Sequence, residues 1–191
     1  MKGNAKEIWK PTLVLVLICF VVTACLAATN AATKGSIAAQ AEKDAQESRL
    51  VALPEAGSFE KSNAKLVSNK VVDCYEGKKG GQPIGWVITT KTASYGGDIT
   101  VMTGIKKSGK VSGVVLTNTS DTPGLGLNAK KASFRDQYKQ QVPANGFEVV
   151  KNGKAGNGKI NAMTGATISS KAVTEAVNNA IAEYKQVKGG A

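Results

Sequence analysis

The longest apolar run of the chain lies near its start. Residues 11–33, PTLVLVLICFVVTACLAATNAAT, contain no charged side chain. A helix rises about 1.5 Å per residue, so roughly 20 residues cross the hydrocarbon core of a bilayer. Lys2, Lys6 and Lys10 precede the run, and such a cluster of positive charge predicts a cytoplasmic amino terminus. We therefore expect a cytoplasmic segment over 1–10, a transmembrane anchor over 11–33 and an extracytoplasmic remainder.

The same apolar segment is compatible with two other fates. A basic start, an apolar core and an Ala-rich stretch are also typical of a cleaved secretory signal. The stretch VTAC, residues 22–25, resembles a lipoprotein signal in which Cys25 would be acylated. The uncleaved anchor is favoured, and under all three interpretations the rest of the chain is exported.

The residues after the span change from apolar to Ala- and charge-rich. Residues 34–64 predict a stalk or linker, helical as far as Pro54 and then a loop. We expect the folded domain over 65–187. Its first two strands are predicted within 65–76 and 83–95 from their content of β-branched residues.

A hairpin follows these two strands. Apolar runs over 99–105 and 111–117 flank KKSGK, in which Gly109 can take a left-handed turn position. Further along, the pattern predicts a short helix over 128–141, a strand over 146–151 and a flexible Gly/Asn loop over 152–159.

The last segment, 170–184, predicts an amphipathic helix. Its apolar or small residues recur with the spacing that buries one helix face, while the charged residues lie largely off that stripe. These positions are Ala172, Val173, Ala176, Val177, Ala180, Ile181 and Tyr184. The predicted fold class is α+β: one N-terminal transmembrane helix followed by an antiparallel sheet with packed helices.

Composition excludes several kinds of chemistry. The 191 residues include 25 Lys and Arg, 14 Asp and Glu, no His and 3 Cys, with a net charge of +11. Without His there is no imidazole-based nucleophilic site or metal site, and the cysteine spacing suits neither zinc nor an iron–sulfur cluster. Few aromatic residues accompany the basic ones, so a nucleic-acid partner is not expected. Redox chemistry would require a bound organic group.

The stretch MTGATISSKAV, residues 163–173, precedes the predicted last helix. A helix start has unpaired N–H groups and a partial positive charge, and it binds phosphate where the backbone is accessible. Gly165 and Ala166 keep the approach open, Thr164 and Ser169 offer hydroxyls, and Lys171 adds a cation. The alternative is an ordinary helix cap, a role for which Ser and Thr are common.

A second stretch, SDTPGLGLNAKK over 120–131, forms a rigid loop with few side chains. Pro123, Gly124 and Gly126 surround Leu125. Such a loop would let backbone groups meet a flat ligand while one apolar side chain lies on its face. The alternative is a connecting loop before the next helix.

Three motifs follow one another along the chain: YGGDITVMTGI, DTPGLG and TGAT. This ordered set resembles the FMN-binding domain of the G subunit of the Rnf electron transport complex. The related C subunit of the sodium-translocating NADH:quinone reductase shares that domain. The resemblance covers roughly 65–185. It implies covalent FMN, with the phosphate esterified by a flavin transferase to the last threonine of TGAT, here Thr167, with Ser169 as the fallback.

The resemblance also implies which residues border the flavin. The Glu/Asp-Thr-Pro-Gly-Leu-Gly loop of the family maps onto Asp121, Thr122, Gly124, Leu125 and Gly126. One departure concerns the transferase motif: the family usually has Asp three residues before the first Ser/Thr of TGAT, and this chain has Asn161. An asparagine keeps the shape of the side chain and loses its charge, which puts the efficiency of flavinylation in question.

The function implied by the resemblance is electron relay. A single-pass flavoprotein of the cell membrane would pass electrons within an ion-translocating ferredoxin:NAD oxidoreductase, next to the other membrane and peripheral subunits of an Rnf-type complex. No catalytic acid or base and no metal are expected. Two alternatives stay open: a free-standing FMN-bearing lipoprotein that carries electrons outside the cytoplasm, and a non-redox anchored domain in which the hydroxyl-rich turn is only a cap.

Overall fold

The computed structural model describes residues 5–64, 66–151, 153 and 155–189. The chain divides into two compact units, Met1–Asp44 and Ala45–Ala191. Helix α1, Ala5–Ala52, begins in the first and ends in the second. Residues 1–4 of the predicted cytoplasmic segment and Lys65, the predicted start of the domain, lie outside the described residues.

In the first unit, α1 carries the apolar run with its side chains exposed. Over the described residues, this is the one helix long and apolar enough to cross a membrane. Two polar side chains near the end of the run bond to their own helix: the Thr29 hydroxyl donates to Cys25 O at 2.8 Å, and that of Thr33 to Thr29 O at 2.9 Å. Such back-bonding lets a hydroxyl lie in an apolar medium without an unpaired donor.

The second unit is built on a five-stranded antiparallel sheet whose spatial order follows the chain. The hairpin predicted around Gly109 is present, with Ile105 opposite Val111 and a φ of +84° at the glycine. The strands are β1 Ser58–Lys61, β2 Val71–Lys79, β3 Gln82–Ser94, β4 Gly97–Lys106 and β5 Val111–Asn118.

Helix α3, Thr167–Gly189, covers one face of this sheet. All seven residues predicted to form its apolar stripe are buried. Two hydroxyls of β3 fix the helix along the strand: Thr90 donates to Ala176 O at 3.0 Å and Thr92 to Ala172 O at 3.1 Å. The helix begins three residues earlier than predicted, which brings Thr167 into its first turn.

Residues 45–64, assigned to the stalk by the sequence, pack on the other face of the sheet. Ala52, Leu53 and Ala56 form a small core with side chains of β3 and β4. Strand β1 then adds to the edge beside β2. Its sequence, SFEK, has one apolar residue and no alternation, so the pattern gave no signal for a strand.

The segment 128–141, predicted as one short helix, is broken into three pieces. These are a 3-10 helix Gly126–Lys130, helix α2 Ala132–Arg135 and a 3-10 helix Asp136–Tyr138. Lys131 interrupts the first two because its backbone is extended. The break turns Phe134 and Tyr138 inward, where Tyr138 packs edge-on against Phe147 at 5.3 Å between ring centroids.

The strand predicted over 146–151 is present as β6, Glu148–Val150, but its partner was not anticipated. It pairs in parallel with β7, Lys159–Asn161, whose first residue was assigned to the Gly/Asn loop. Asn152 and Lys154 of that loop lie outside the described residues. The α+β class, with an antiparallel sheet and packed helices, is confirmed.

Candidate functional site

A cavity of about 550 Å³ opens beside the start of α3. Its walls come from three stretches that are distant in sequence: Tyr95 in the β3–β4 turn, the loop 122–126, and residues 165–169 at the helix start. From the loop the lining residues are Thr122, Leu125 and Gly126. The two stretches that the sequence singled out therefore meet at one cavity.

The cavity carries large apolar side chains that are left open to solvent. Tyr95 is 72% exposed, Leu125 45% and Ile168 58%. Apolar groups with this exposure around one concavity mark a place where a ligand or partner with an apolar surface binds. A flat ring system bound in the cavity would cover these three side chains together.

The start of α3 points unpaired amides toward the same space. The first helical hydrogen bond runs from Ser170 N to Ala166 O at 2.9 Å, so the amides of residues 167–169 precede it. Gly165 has a φ of +74°, a conformation that side chains rarely adopt, and it turns the chain into the helix. Such a helix start attracts a phosphate through its free N–H groups and its dipole.

The hydroxyls of the turn differ in what they already bind. Ser170 is buried, accepts a hydrogen bond from Met163 N at 3.0 Å and donates to Ala166 O at 2.9 Å. Ser169 is also buried and donates to the Asp121 carboxylate. Thr167 is half-buried and lines the cavity, and no described residue forms a hydrogen bond with its hydroxyl.

Asp121 is a buried carboxylate, 5% exposed, just behind the cavity. Burial by itself would raise its pKa. The hydrogen bonds from the Ser94 hydroxyl, the Gly96 amide and the Ser169 hydroxyl outweigh that effect and hold the pKa of Asp121 below its usual value. The site thus contains a fixed negative charge that is fully bonded to the protein.

The predicted site residues divide into two groups in the structure. Seven line the cavity: Thr122, Leu125, Gly126, Gly165, Ala166, Thr167 and Ser169. Four do not: Asp121, Gly124, Thr164 and Lys171. Sequence reasoning missed Tyr95 and Ile168 as lining residues. Tyr95 could have been found, because a lone aromatic residue directly before Gly-Gly lies at a turn and is exposed.

Two family models match the chain. The FMN-binding domain family matches residues 94–182, and the family of RnfG N-terminal regions matches residues 1–50. The first match includes the turn with Tyr95, the 122–126 loop and the start of α3. The protein therefore contains an FMN-binding domain, and residues of that domain line the cavity.

Three known proteins align with nearly the whole chain. The G subunit of the Na(+)-translocating ferredoxin:NAD(+) oxidoreductase complex of Acetobacterium woodii is 34% identical over 94% of each chain. The G subunit of the proton-translocating ferredoxin:NAD(+) oxidoreductase complex of Clostridium ljungdahlii is 36% identical over 92% of this chain and 91% of that one. The G subunit of the ion-translocating oxidoreductase complex of Methanosarcina acetivorans is 31% identical over 98% and 100%. This chain belongs to the G-subunit family of ion-translocating oxidoreductase complexes.

Solved structures support the fold of this G-subunit family member. The C subunit of the Na(+)-translocating NADH-quinone reductase from Parabacteroides distasonis has a TM-score of 0.52 at 24% identity, over 61% of this chain and 62% of that one. NqrC of Shewanella oneidensis has a TM-score of 0.53 at 15% identity, over 75% and 74%. The family and fold predicted from the sequence are confirmed.

The residues present fit an FMN. The cavity falls within the roughly 300–1,000 Å³ of cofactor and small-molecule sites. Exposed apolar side chains suit the isoalloxazine, and the unpaired amides of α3 suit the phosphate. When bound, FMN supplies the capacity to take up electrons and pass them on one at a time.

Proposed function

We propose that this protein is a membrane-anchored G subunit that relays electrons in an ion-translocating ferredoxin:NAD oxidoreductase through FMN bound covalently at Thr167. The observation that carries the proposal is the unpaired Thr167 hydroxyl, on the wall of an apolar cavity at the start of α3. The family membership supplies the kind of complex. Tyr95 and Leu125 would flank the ring system of the flavin.

Burial and hydrogen bonding favour Thr167 over the neighbouring hydroxyls. Ser169 and Ser170 are buried, and each hydroxyl already has a partner within the protein. Esterification of either would leave a buried group unpaired, which costs free energy. Thr164 is exposed and lies outside the cavity lining. Thr167 alone among these four combines access with a place on the cavity wall.

Attachment would be the work of a flavin transferase. Ester formation joins the Thr167 oxygen to the flavin phosphate and breaks the anhydride bond of an activated flavin dinucleotide. The remaining nucleoside monophosphate leaves, and the hydroxyl proton passes to a base or to water, so the step involves no change in oxidation state. The helix-start amides of α3 would then bind the phosphodiester oxygens.

The anchored domain would lie outside the cytoplasm. Lysines before the span favour a cytoplasmic amino terminus, and the match to the RnfG N-terminal region includes the span and Cys25. This match supports a retained anchor over a lipoprotein. A covalent link suits an exported cofactor, because a dissociated FMN would be lost. The partners would be the other membrane and peripheral subunits of the complex.

The linkage is tested by producing the full chain together with an active flavin transferase. After denaturing electrophoresis, we expect flavin fluorescence on the wild-type band and none on Thr167→Ala. Thr117→Ala is the matched control, because it removes an exposed threonine hydroxyl in β5, outside both the TGAT motif and the cavity lining. We expect this variant to keep its fluorescence. A colourless wild-type protein, or a fluorescent Thr167→Ala, would contradict the proposal.

Orientation is tested with a membrane-impermeant thiol reagent on intact cells. Ser108 lies exposed in the hairpin turn, so Ser108→Cys should be labelled in a background where Cys19 and Cys25 are Ala. The native Cys74 should stay unlabelled, because burial raises the pKa of its thiol to about 12. Ala5→Cys should also stay unlabelled. The opposite labelling pattern would place the domain in the cytoplasm.

A further inference from the structure

The carboxylate of Asp121 joins the parts of the cavity wall to one another. Its Oδ2 accepts a hydrogen bond from the Ser94 hydroxyl at 2.7 Å, and its Oδ1 accepts one from the Gly96 amide at 2.7 Å. These two residues flank Tyr95 in the β3–β4 turn. On the other side, Ser169 Oγ in the first turn of α3 is a close neighbour of the carboxylate, since a single Cβ placed at Gly126 would lie within 2.8 Å of both Ser169 Oγ and Asp121 Oδ2.

Close packing around the carboxylate shows that this arrangement is specific. A Cβ at Gly126 would collide with Ser169 Oγ and lie 2.8 Å from Asp121 Oδ2. A Cβ at Gly96 would collide with the carbonyl of Ser120, next to Asp121. Two glycines are therefore required for the turn and the loop to come this close to the carboxylate.

Asp121 does not line the cavity, so it acts on the site only through the residues that it contacts. It is buried, and it is absent from the cavity lining that includes Tyr95, Gly126 and Ser169. Its hydrogen-bond partners are residues of the turn that carries Tyr95. We propose that Asp121 is a positioning residue, which ties the turn that carries Tyr95 to the start of α3 and so fixes the two walls of the cavity.

This assignment rests on the proposed function for its meaning in electron transfer, and its first test does not involve flavin. The Gly96 amide lies on the exposed β3–β4 turn, so its bond to Asp121 is what shields it from exchange with solvent. Hydrogen exchange of the peptide that contains Gly96 is measured on the full chain in detergent, produced without a flavin transferase.

In the flavin-free protein we expect Asp121→Ala to speed exchange at Gly96 about tenfold or more, since bonds to a carboxylate are among the stronger ones. Asp98→Ala is the matched control: this exposed carboxylate binds Lys91 at 2.8 Å, and Gly96 exchange should not change. Unchanged exchange in Asp121→Ala would overturn the proposal. This readout is independent of whether FMN is bound.

A second variant keeps the test valid if Asp121→Ala does not fold. Gly126→Ala leaves every charge in place and pushes a methyl group between Ser169 and Asp121. Because this methyl group disturbs the contact between Asp121 and Ser169 of α3, we expect the variant also to speed exchange at Gly96. Protection of Gly96 equal to that of the wild type would show that the turn is not tied to the helix through Asp121.

The midpoint potential of the flavin provides a readout that a merely structural role would not move. In the flavinylated protein, Asp121→Asn removes a buried negative charge close to the cavity, and we expect the potential to become more positive. Asp98→Asn removes an exposed charge that solvent screens, so its potential should match the wild type. Equal potentials in all three proteins would overturn the role of the Asp121 charge, while covalent attachment at Thr167 would stand.

Discussion

Glycines lie at two crowded places of the folded domain, and they serve opposite purposes. The sheet face opposite α3 is called the outer face. There Gly104 and Gly113 are paired across β4 and β5, and the end of α1 packs directly against them. A Cβ at Gly113 would lie 3.0 Å from Ala52 O, and one at Gly104 would collide with it. That oxygen also accepts a hydrogen bond from Ser112 Oγ at 2.6 Å.

At the candidate site, glycines border open space as well as protein. A Cβ at Gly165 would meet only Leu125 Cδ2 at 3.1 Å, and one at Gly124 would meet nothing within 4 Å. On the outer face the missing side chains admit the protein's own backbone, whereas at the site they leave a cavity. The comparison shows that glycine content alone does not distinguish a packed groove from a binding site.

The largest effect is expected from a substitution that disrupts the packing of α1 against the glycine pair on the outer face. Gly104→Ala places a methyl group on Ala52 O, and the backbone must shift to relieve the overlap. We expect a loss of about 3 kcal/mol in the free energy of unfolding, measured with denaturant on the full chain in detergent.

Gly57→Ala is the matched control for this prediction. Its Cβ would be at an ordinary contact distance, 3.8 Å from Lys78 O. We expect its unfolding free energy to stay within about 1 kcal/mol of the wild type. If the two variants were equally stable, the packing of α1 against the glycine pair would contribute nothing to the fold.

A smaller effect is expected at the site. Gly165 and Gly124 both have positive φ, +74° and +78°, so alanine at either should cost about 1–2 kcal/mol. Only the alanine at 165 would also displace Leu125. We therefore expect a lower yield of covalent flavin for Gly165→Ala than for Gly124→Ala, measured as fluorescence per protein. Equal yields would show that the position of Leu125 does not affect flavin attachment.

The two regions should also differ in their response to pH. The pKa of Asp121 is lower in the folded protein than the value near 3.9 of an unfolded chain. Its contribution to stability is therefore complete above about pH 4 and is lost as pH falls through the folded pKa. Asp121→Asn should flatten the acid limb of the stability curve, whereas Gly104→Ala should lower the curve without changing its shape. A parallel shift for both would contradict the assignment.

The smallest effect on stability is expected at Asn161. Its backbone is held by Gln137, whose Oε1 accepts from Asn161 N at 2.7 Å, while no described contact uses its own side chain. Asn161→Asp should leave the free energy of unfolding within about 0.5 kcal/mol and raise the flavinylated fraction. Asn118→Asp, the same change at an exposed position, should alter neither quantity. An unchanged flavinylated fraction in Asn161→Asp would show that the transferase does not need the charge.

The parts of the fold with a regular period were predictable from the sequence. The stripe of α3 follows from its helical spacing, and the β4–β5 hairpin follows from two β-branched runs around Gly109. Strand β1 was not predictable, because a four-residue edge strand has too few positions to show alternation. The break at Lys131 depends on tertiary packing of Phe134 and Tyr138, which overrides a helical pattern.

At the site, the sequence indicated the two stretches but not the role of each residue. Thr167 and Ser169 are two hydroxyls two positions apart, and only their burial and partners separate them. Asp121 was expected beside the flavin because it belongs to the loop motif. That expectation stays a prediction, and the structure adds that its carboxylate binds the turn that carries Tyr95, a contact between strand and loop that no local pattern encodes.

The central claim is that FMN is esterified to Thr167, and peptide mapping tests it most directly. Cleavage after Lys159 and Lys171 releases peptide 160–171, which contains all four hydroxyls of the turn. Tandem mass spectrometry of the wild-type protein, produced with an active flavin transferase, should find this peptide with an FMN adduct on Thr167. An adduct on Ser169 or another residue, or an unmodified peptide alone, would contradict the account.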